Sequence, residues 1–241
     1  MSGLQPFALA DLPAEPWKNG GGRTRTVATW PAGAGLSDFD ARVSVATIAA
    51  SGPFSRFPGI DRQIVLLSGG GVRLRGPGID HHLDMPLAPF AFAGEAEVEA
   101  TVLGGPSEDF NVMVRRGRWR ARVEVLRTAR HWPGGVGGVL LAWRGDWTVL
   151  GDAADAAPVR LTPGECVWWQ NGGQALACAP AGDAGALLAV AFDSVWKWAL
   201  ALLHRVQAAI VLEANYHEHP AFRRRSLARP APVRHAGPAG R

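Results

Sequence analysis

The chain has 241 residues, only 19% of them charged, with 30 glycines, 18 prolines and 10 tryptophans. That balance favours many short strands joined by tight turns and argues against a helical bundle. The net charge of +4 is a property of the end: residues 221–241 hold six arginines and no acid, and the remainder has 19 basic against 21 acidic side chains, so the body has no electrostatic case for binding nucleic acid.

The first residues, MSGLQPFALADLP, have neither a basic n-region nor an apolar h-region, and no run of about 20 apolar residues follows anywhere. The expectation is a cytoplasmic protein without a membrane span. Next comes Trp17-Lys18-Asn19-Gly20-Gly21-Gly22. Three glycines leave the backbone bare and permit positive φ, while Lys18 and Asn19 bring a cation and an amide to the turn. It reads either as a hairpin turn at a sheet edge or as a ligand-facing loop.

Strand patterns then recur at Arg23–Trp30, Phe39–Ile48, Arg62–Leu67, Val72–Arg75, Val98–Leu103, Phe110–Arg115, Ala121–Arg127, Val139–Trp143, Trp147–Leu150, Glu165–Gln170, Gln174–Ala179 and Leu187–Phe192. Gly- and Pro-rich clusters separate them, with no helical pattern between, as in a sandwich, jelly roll or barrel. Cys166 and Cys178 stand symmetrically about Gly172; a three-residue loop at Asn171-Gly172-Gly173 would bring the thiols opposite each other as reduced, packed groups. After Phe192 the pattern changes. Residues 195–214 contain no Gly or Pro and read as an amphipathic helix, followed by a basic tail expected to be disordered.

Four stretches, in this order and spacing, resemble the HutD/Ves family of small β-barrel proteins. They are Trp17–Gly22 with Thr24-Arg25; Phe39, Arg42-Val43-Ser44 and Gly52–Arg62; Pro89–Glu95; and Gly104-Gly105-Pro106 with Asp109–Gly117. The resemblance covers roughly residues 5–193. It implies an all-β bicupin, two RmlC-like jelly-roll barrels in one chain, with lobes at about 1–118 and 119–193; residues 194–241 have no counterpart in the family and read, from their own pattern, as a C-terminal helical extension. It also implies an association with histidine utilisation, where such proteins bind a pathway intermediate such as formylglutamate and moderate flux or expression. Two positions depart from the family pattern: Thr26 stands where a glutamate commonly follows Thr-Arg, and Ala41 where an aromatic commonly precedes the Arg.

The residues themselves restrict the chemistry. Cupin metal sites commonly begin with His-x-His, yet no histidine precedes His81, and adjacent His81 and His82 point to opposite faces of a strand. His217-Glu218-His219 has suitable types but lies in the tail. Epimerase-type acid–base pairs of His and Tyr find only Tyr216, beyond the barrels. No metal and no cofactor are therefore expected. An arginine-rich pocket remains. Arg42 and Ser44 share a face, Arg25 lies on the preceding strand, and Asp61-Arg62 opens another. An arginine facing a barrel interior requires an acidic neighbour or an acidic ligand, and its fork matches a carboxylate.

The main reading is a non-catalytic binder of a small acidic metabolite. Lys18, Arg25, Arg42 and Arg62 would supply charge; Asn19, Gly20, Thr24, Ser44, Asp61 and Asn111 would line the site; Phe92 would wall it. A second reading is an isomerase or hydrolase with Asp61 or Asp109 as general base, which requires a carboxylate of raised pKa at the cavity. A third is an interaction protein docking through residues 195–214. A homodimer is a further expectation, because exposed sheet edges need cover.

Overall fold

The computed structural model describes residues 4–152, 156–170, 172 and 175–195. Among them the regular structure is strand, apart from one short 3-10 turn at Leu9–Asp11 and the helical residue Val195. The anticipated helix over 195–214 and the basic tail lie outside the described residues, except for Val195.

The strands form four antiparallel sheets. An inner N-terminal sheet runs in the order Glu15–Pro16, Gly22–Trp30, Ala41–Ile48, Ser107–Arg115, Ile60–Ser68, Pro89–Ala93. An outer N-terminal sheet runs Gly52–Pro53, Glu99–Val102, Val72–Gly76, Ile79–Leu83. The inner C-terminal sheet runs Phe7–Ala8, Glu165–Gln170, Gly137–Arg144, Ala186–Ser194, Trp119–Leu126, and the outer one Arg130–Pro133, Ala175–Pro180, Trp147–Gly151, Val159–Leu161. Each predicted strand has a counterpart. The segments without a prediction are short or polar, such as Ile79–Leu83, whose Asp80 and His82 face outward opposite Arg75 and Arg73.

Strand alternation builds three apolar layers. Ile48, Ile64 and Leu66 meet Val72, Leu74, Leu83 and Val98 inside the N-terminal sandwich. Leu140, Val167 and Leu187 meet Trp132, Trp147 and Leu176 inside the C-terminal one. The opposite faces of the two inner sheets then pack on each other: Val43, Val45, Val65, Phe110 and Val112 lie against Val139, Leu141, Leu188, Val190 and Phe192. The Trp30 and Phe192 rings are 4.6 Å apart there. Gln63 Nε2 also donates across this junction to the Ala121 carbonyl at 3.2 Å.

The cysteines are free, buried thiols as expected, but the expectation that they face each other across a hairpin is corrected. Cys166 lies in the inner C-terminal sheet and Cys178 in the outer one, packed into different apolar layers. The chain changes sheets between them instead of folding a hairpin. Both thiols are buried and free, and burial pushes each up to about 12.

Candidate functional site

The inner N-terminal sheet turns Ala41, Val43 and Val45 toward its partner sheet, so Arg42 and Ser44 must face the sandwich interior. Residues opposite each other on antiparallel strands share a face, and the register orders this interior face into rows. One row is Arg42, Met113, Arg62, Phe92. The next is Thr26, Ser44, Asn111, Ile64, Phe90. The third is Thr24, Ala46, Asp109, Leu66. A bulge between Thr26 and Ala28 gives the edge strand its extra residue and keeps Thr26 on the interior face.

Both guanidinium groups bend over the middle row. Arg42 Nη1 donates to Ser44 Oγ at 3.1 Å and Nη2 to Thr26 Oγ1 at 2.9 Å. Arg62 Nη2 donates to Asn111 Oδ1 at 3.1 Å, and Nη1 to the Ser55 carbonyl at 3.3 Å. Three half-buried rings surround Arg62: Phe92 at 4.8 Å, Phe54 at 5.3 Å and Phe57 at 5.6 Å from its central carbon, a cation–π enclosure. The two arginines are only 7% and 6% exposed, and among the described residues neither has a carboxylate within salt-bridge distance. Burial lowers the pKa of Arg42, with Glu15 opposing the change. Burial, then repulsion from Arg42, brings Arg62 down to about 10. Arg62 Nε is buried with no partner at all.

Asp109 occupies the third row and is fully buried, and neither carboxylate oxygen has a hydrogen-bond partner. Burial, reinforced by the adjacent Glu108, raises its pKa to about 7. Beyond Phe92 the ring contacts continue: the His81 ring stacks on Phe90 at 3.8 Å, and Phe90 stacks on Phe92 at 5.8 Å. The register separates His81, opposite buried Leu74, from His82, opposite Arg73. Among the described residues no three His, Cys, Asp or Glu side chains gather as a metal-binding group, and His217-Glu218-His219 lies outside them.

The predicted site residues divide accordingly. Arg42, Ser44, Arg62, Phe92, Asn111 and Thr24 share the interior face. Arg25 does not: it lies opposite Val45, on the face turned toward the C-terminal half, and its Nε is buried without a partner. Asp61 lies opposite Val114 on that same outward face and is bound to Arg116 at 2.6 Å, half exposed. The sequence pairs it with Arg62, but strand alternation separates them. Lys18 is exposed. Asn19 Oδ1 accepts the Gly21 N–H at 3.0 Å, and the Gly20 N–H donates to the Trp17 carbonyl at 3.0 Å, so this loop's polar groups close its own turn. It touches the interior through Trp17, whose Nε1 donates to Thr24 Oγ1 at 2.7 Å. Sequence reasoning missed Glu15, which a two-residue edge strand places opposite Thr24, and did not count Phe54 and Phe57 among the site residues.

Comparisons with known proteins agree on one family. The HutD family model matches residues 9–188. Protein Ves of Cronobacter sakazakii is 37% identical over 174 residues, 72% of this chain and 91% of that protein. A Pseudomonas putida protein described as an uncharacterized 21.2 kDa protein in the hutC 3' region is 44% identical over 124 residues, 52% of this chain and 65% of that one. The solved structure of HutD from Pseudomonas fluorescens SBW25 superposes with a TM-score of 0.67 at 28% identity, covering 79% of this chain and 98% of that one. A variant of Bacillus subtilis oxalate decarboxylase superposes at TM-score 0.56 over 82% of this chain and 81% of that one; at 10% identity it shows a cupin-like fold alone.

Proposed function

The chain belongs to the HutD family, and on that premise we propose that it binds a small acidic metabolite on the interior face of its N-terminal sandwich. The observation that carries the reading is the Arg42–Arg62 pair: two buried guanidinium groups held by hydroxyl, carbonyl and amide oxygens, with no carboxylate within salt-bridge distance among the described residues. Buried like charges repel, and a bound carboxylate is what neutralises them. Ser44, Thr26 and Asn111 fix the forks, and Phe92 and Phe90 form the wall beside the ligand.

The ligand proposed is formylglutamate or a related product of histidine breakdown, acting in regulation of histidine utilisation. The family, and the Pseudomonas putida relative in the hutC 3' region, support that direction. We read the two sandwiches as the lobes of a bicupin divided near residue 118, in which only the first keeps a polar interior; the second is filled by Trp132, Trp147, Leu140 and Leu187. Titration calorimetry with formylglutamate, urocanate, glutamate and histidine tests the reading. An acid that binds to the wild type and about 10- to 100-fold more weakly to Arg62→Met supports it. No heat from any of the four, with an unchanged melting temperature, contradicts it.

One observation favours a second reading, an isomerase or hydrolase. Asp109 is a fully buried carboxylate whose pKa is raised to about 7, in the range of a general base. Asp61, held by Arg116 on the other face, drops out of it. Turnover of a bound acid that disappears in Asp109→Asn would establish this reading.

A further inference from the structure

Each guanidinium group of the buried pair has its own set of uncharged partners. Arg42 donates to Ser44 Oγ and Thr26 Oγ1, and Arg62 to Asn111 Oδ1 and the Ser55 carbonyl. A guanidinium carries five N–H donors, so two bonds apiece leave donors on both forks, and Arg62 Nε is buried with no partner. The two forks are also anchored at separate places. Ser44, which holds Arg42, and Asn111, which holds Arg62, stand opposite each other on neighbouring strands, roughly 5 Å apart across the sheet. A monocarboxylate seated on one fork leaves the other as an uncompensated buried cation, which is costly. A second carboxylate removes that cost, and a short chain spans the gap between the anchors.

We propose that the site selects a short dicarboxylate, one carboxylate on Arg42 and one on Arg62, and that Thr26 is the position that sets this charge requirement. The inference rests on the binding reading above and adds the charge the ligand must carry. Thr26 Oγ1 lies 2.9 Å from Arg42 Nη2. Ser44 and Asn111 are buried within the sheet, whereas Thr26 is half-buried, and the far side of its strand is paired only at Arg23 and Thr24. An acidic side chain therefore has room at position 26 and would neutralise Arg42 from within. Threonine supplies a hydroxyl there instead, which holds the fork in place and leaves its charge for the ligand.

Among the described residues no other acid takes that part. Glu15 acts on Arg42 from the edge strand but is exposed and beyond salt-bridge distance. Asp109 lies on the same face, two residues before Asn111, yet both its oxygens are unpartnered and its charge is governed by burial and by Glu108.

The test is calorimetric titration of the full chain with formylglutamate and with formylglutamine, which has nearly the same shape and one carboxylate fewer. At about pH 6 the ligand carboxylates are ionised and Asp109 is mostly protonated. The wild type should bind formylglutamate about 10- to 100-fold more tightly than formylglutamine, the loss expected for one charge-assisted bond. Thr26→Asp, which places a carboxylate beside Arg42, should weaken formylglutamate and lose most of that preference. Equal binding of the two acids by the wild type overturns the dicarboxylate requirement and leaves the binding reading intact. A preference undiminished in Thr26→Asp overturns the assignment of one carboxylate to Arg42. Binding of neither acid by the wild type overturns both readings. The wild-type comparison decides the ligand's charge even where the variant folds poorly.

Discussion

At the scale of single residues, the site is set by which face of a strand a charge occupies. Arg42 and Arg62 face inward and lack a carboxylate partner, whereas Arg115 and Arg116 at the sheet end bind Asp40 and Asp61 at 3.0 and 2.6 Å. Replacing Arg62 by Met keeps the bulk among Phe54, Phe57 and Phe92 and removes a buried charge. Calorimetry should show the acid's affinity reduced about 10- to 100-fold, the loss expected for one charge-assisted bond of about 1.5–3 kcal/mol. The melting temperature should hold or rise, since removing a buried charge that repels its neighbour relieves strain. Asp109 gives the opposite pH signature from an ordinary carboxylate. Its folded pKa is raised from 3.8 to about 7, so its contribution to stability is complete below about pH 4 and is lost as pH rises through about 7. Urea melts should show wild-type stability falling over that window by at most ~1.4 kcal/mol per pH unit. Asp109→Asn should lack that slope.

At the scale of elements, turns and bulges decide what the strands present. Gly22 begins its strand where a Cβ would lie 2.3 Å from the Thr47 carbonyl and 3.1 Å from the Trp17 ring. Gly22→Ala should therefore destabilise by about 1–3 kcal/mol and, by displacing Trp17, disturb its bond to Thr24; chemical denaturation and indole NMR read the two effects. The same scale shows what could be read from the sequence. Strands with clear alternation, such as the one carrying Arg42 and Ser44, were legible down to the face of each side chain. The bulge at Thr26–Ala28 left no mark in composition, yet the face of the edge strand depends on it. Arg25, opposite Val45, is on the wrong side for a ligand contact because strand pairing and not proximity in sequence decides sidedness. Glu15 was invisible because two residues are too short for a periodic pattern. Asp109 was legible as a candidate base, but its burial without a partner is a property of the assembled layer. The cysteine pair misled because symmetry about Gly172 mimics a hairpin where the chain crosses between sheets.

At the scale of the whole molecule, the two sandwiches share a third apolar layer between their inner sheets. That layer buries Trp30, Val43, Val112, Val139 and Phe192 almost completely, so neither half should unfold alone. Thermal melts followed by tryptophan emission and by calorimetry should give one coincident transition. Phe192→Ala, which opens a cavity beside Trp30, should cost about 3–5 kcal/mol and lower both signals together. The layer also explains how one half can carry an unneutralised charge pair: the fully apolar C-terminal sandwich supplies stability that the polar interior of its neighbour does not. The binding account needs that pair to be waiting for an anion, and calorimetric titration of formylglutamate into the wild type and into Arg62→Met tests this most directly. The account predicts saturable one-to-one binding that the substitution weakens about 10- to 100-fold while the melting temperature is kept. Equal binding by both proteins, or none by the wild type, would contradict it.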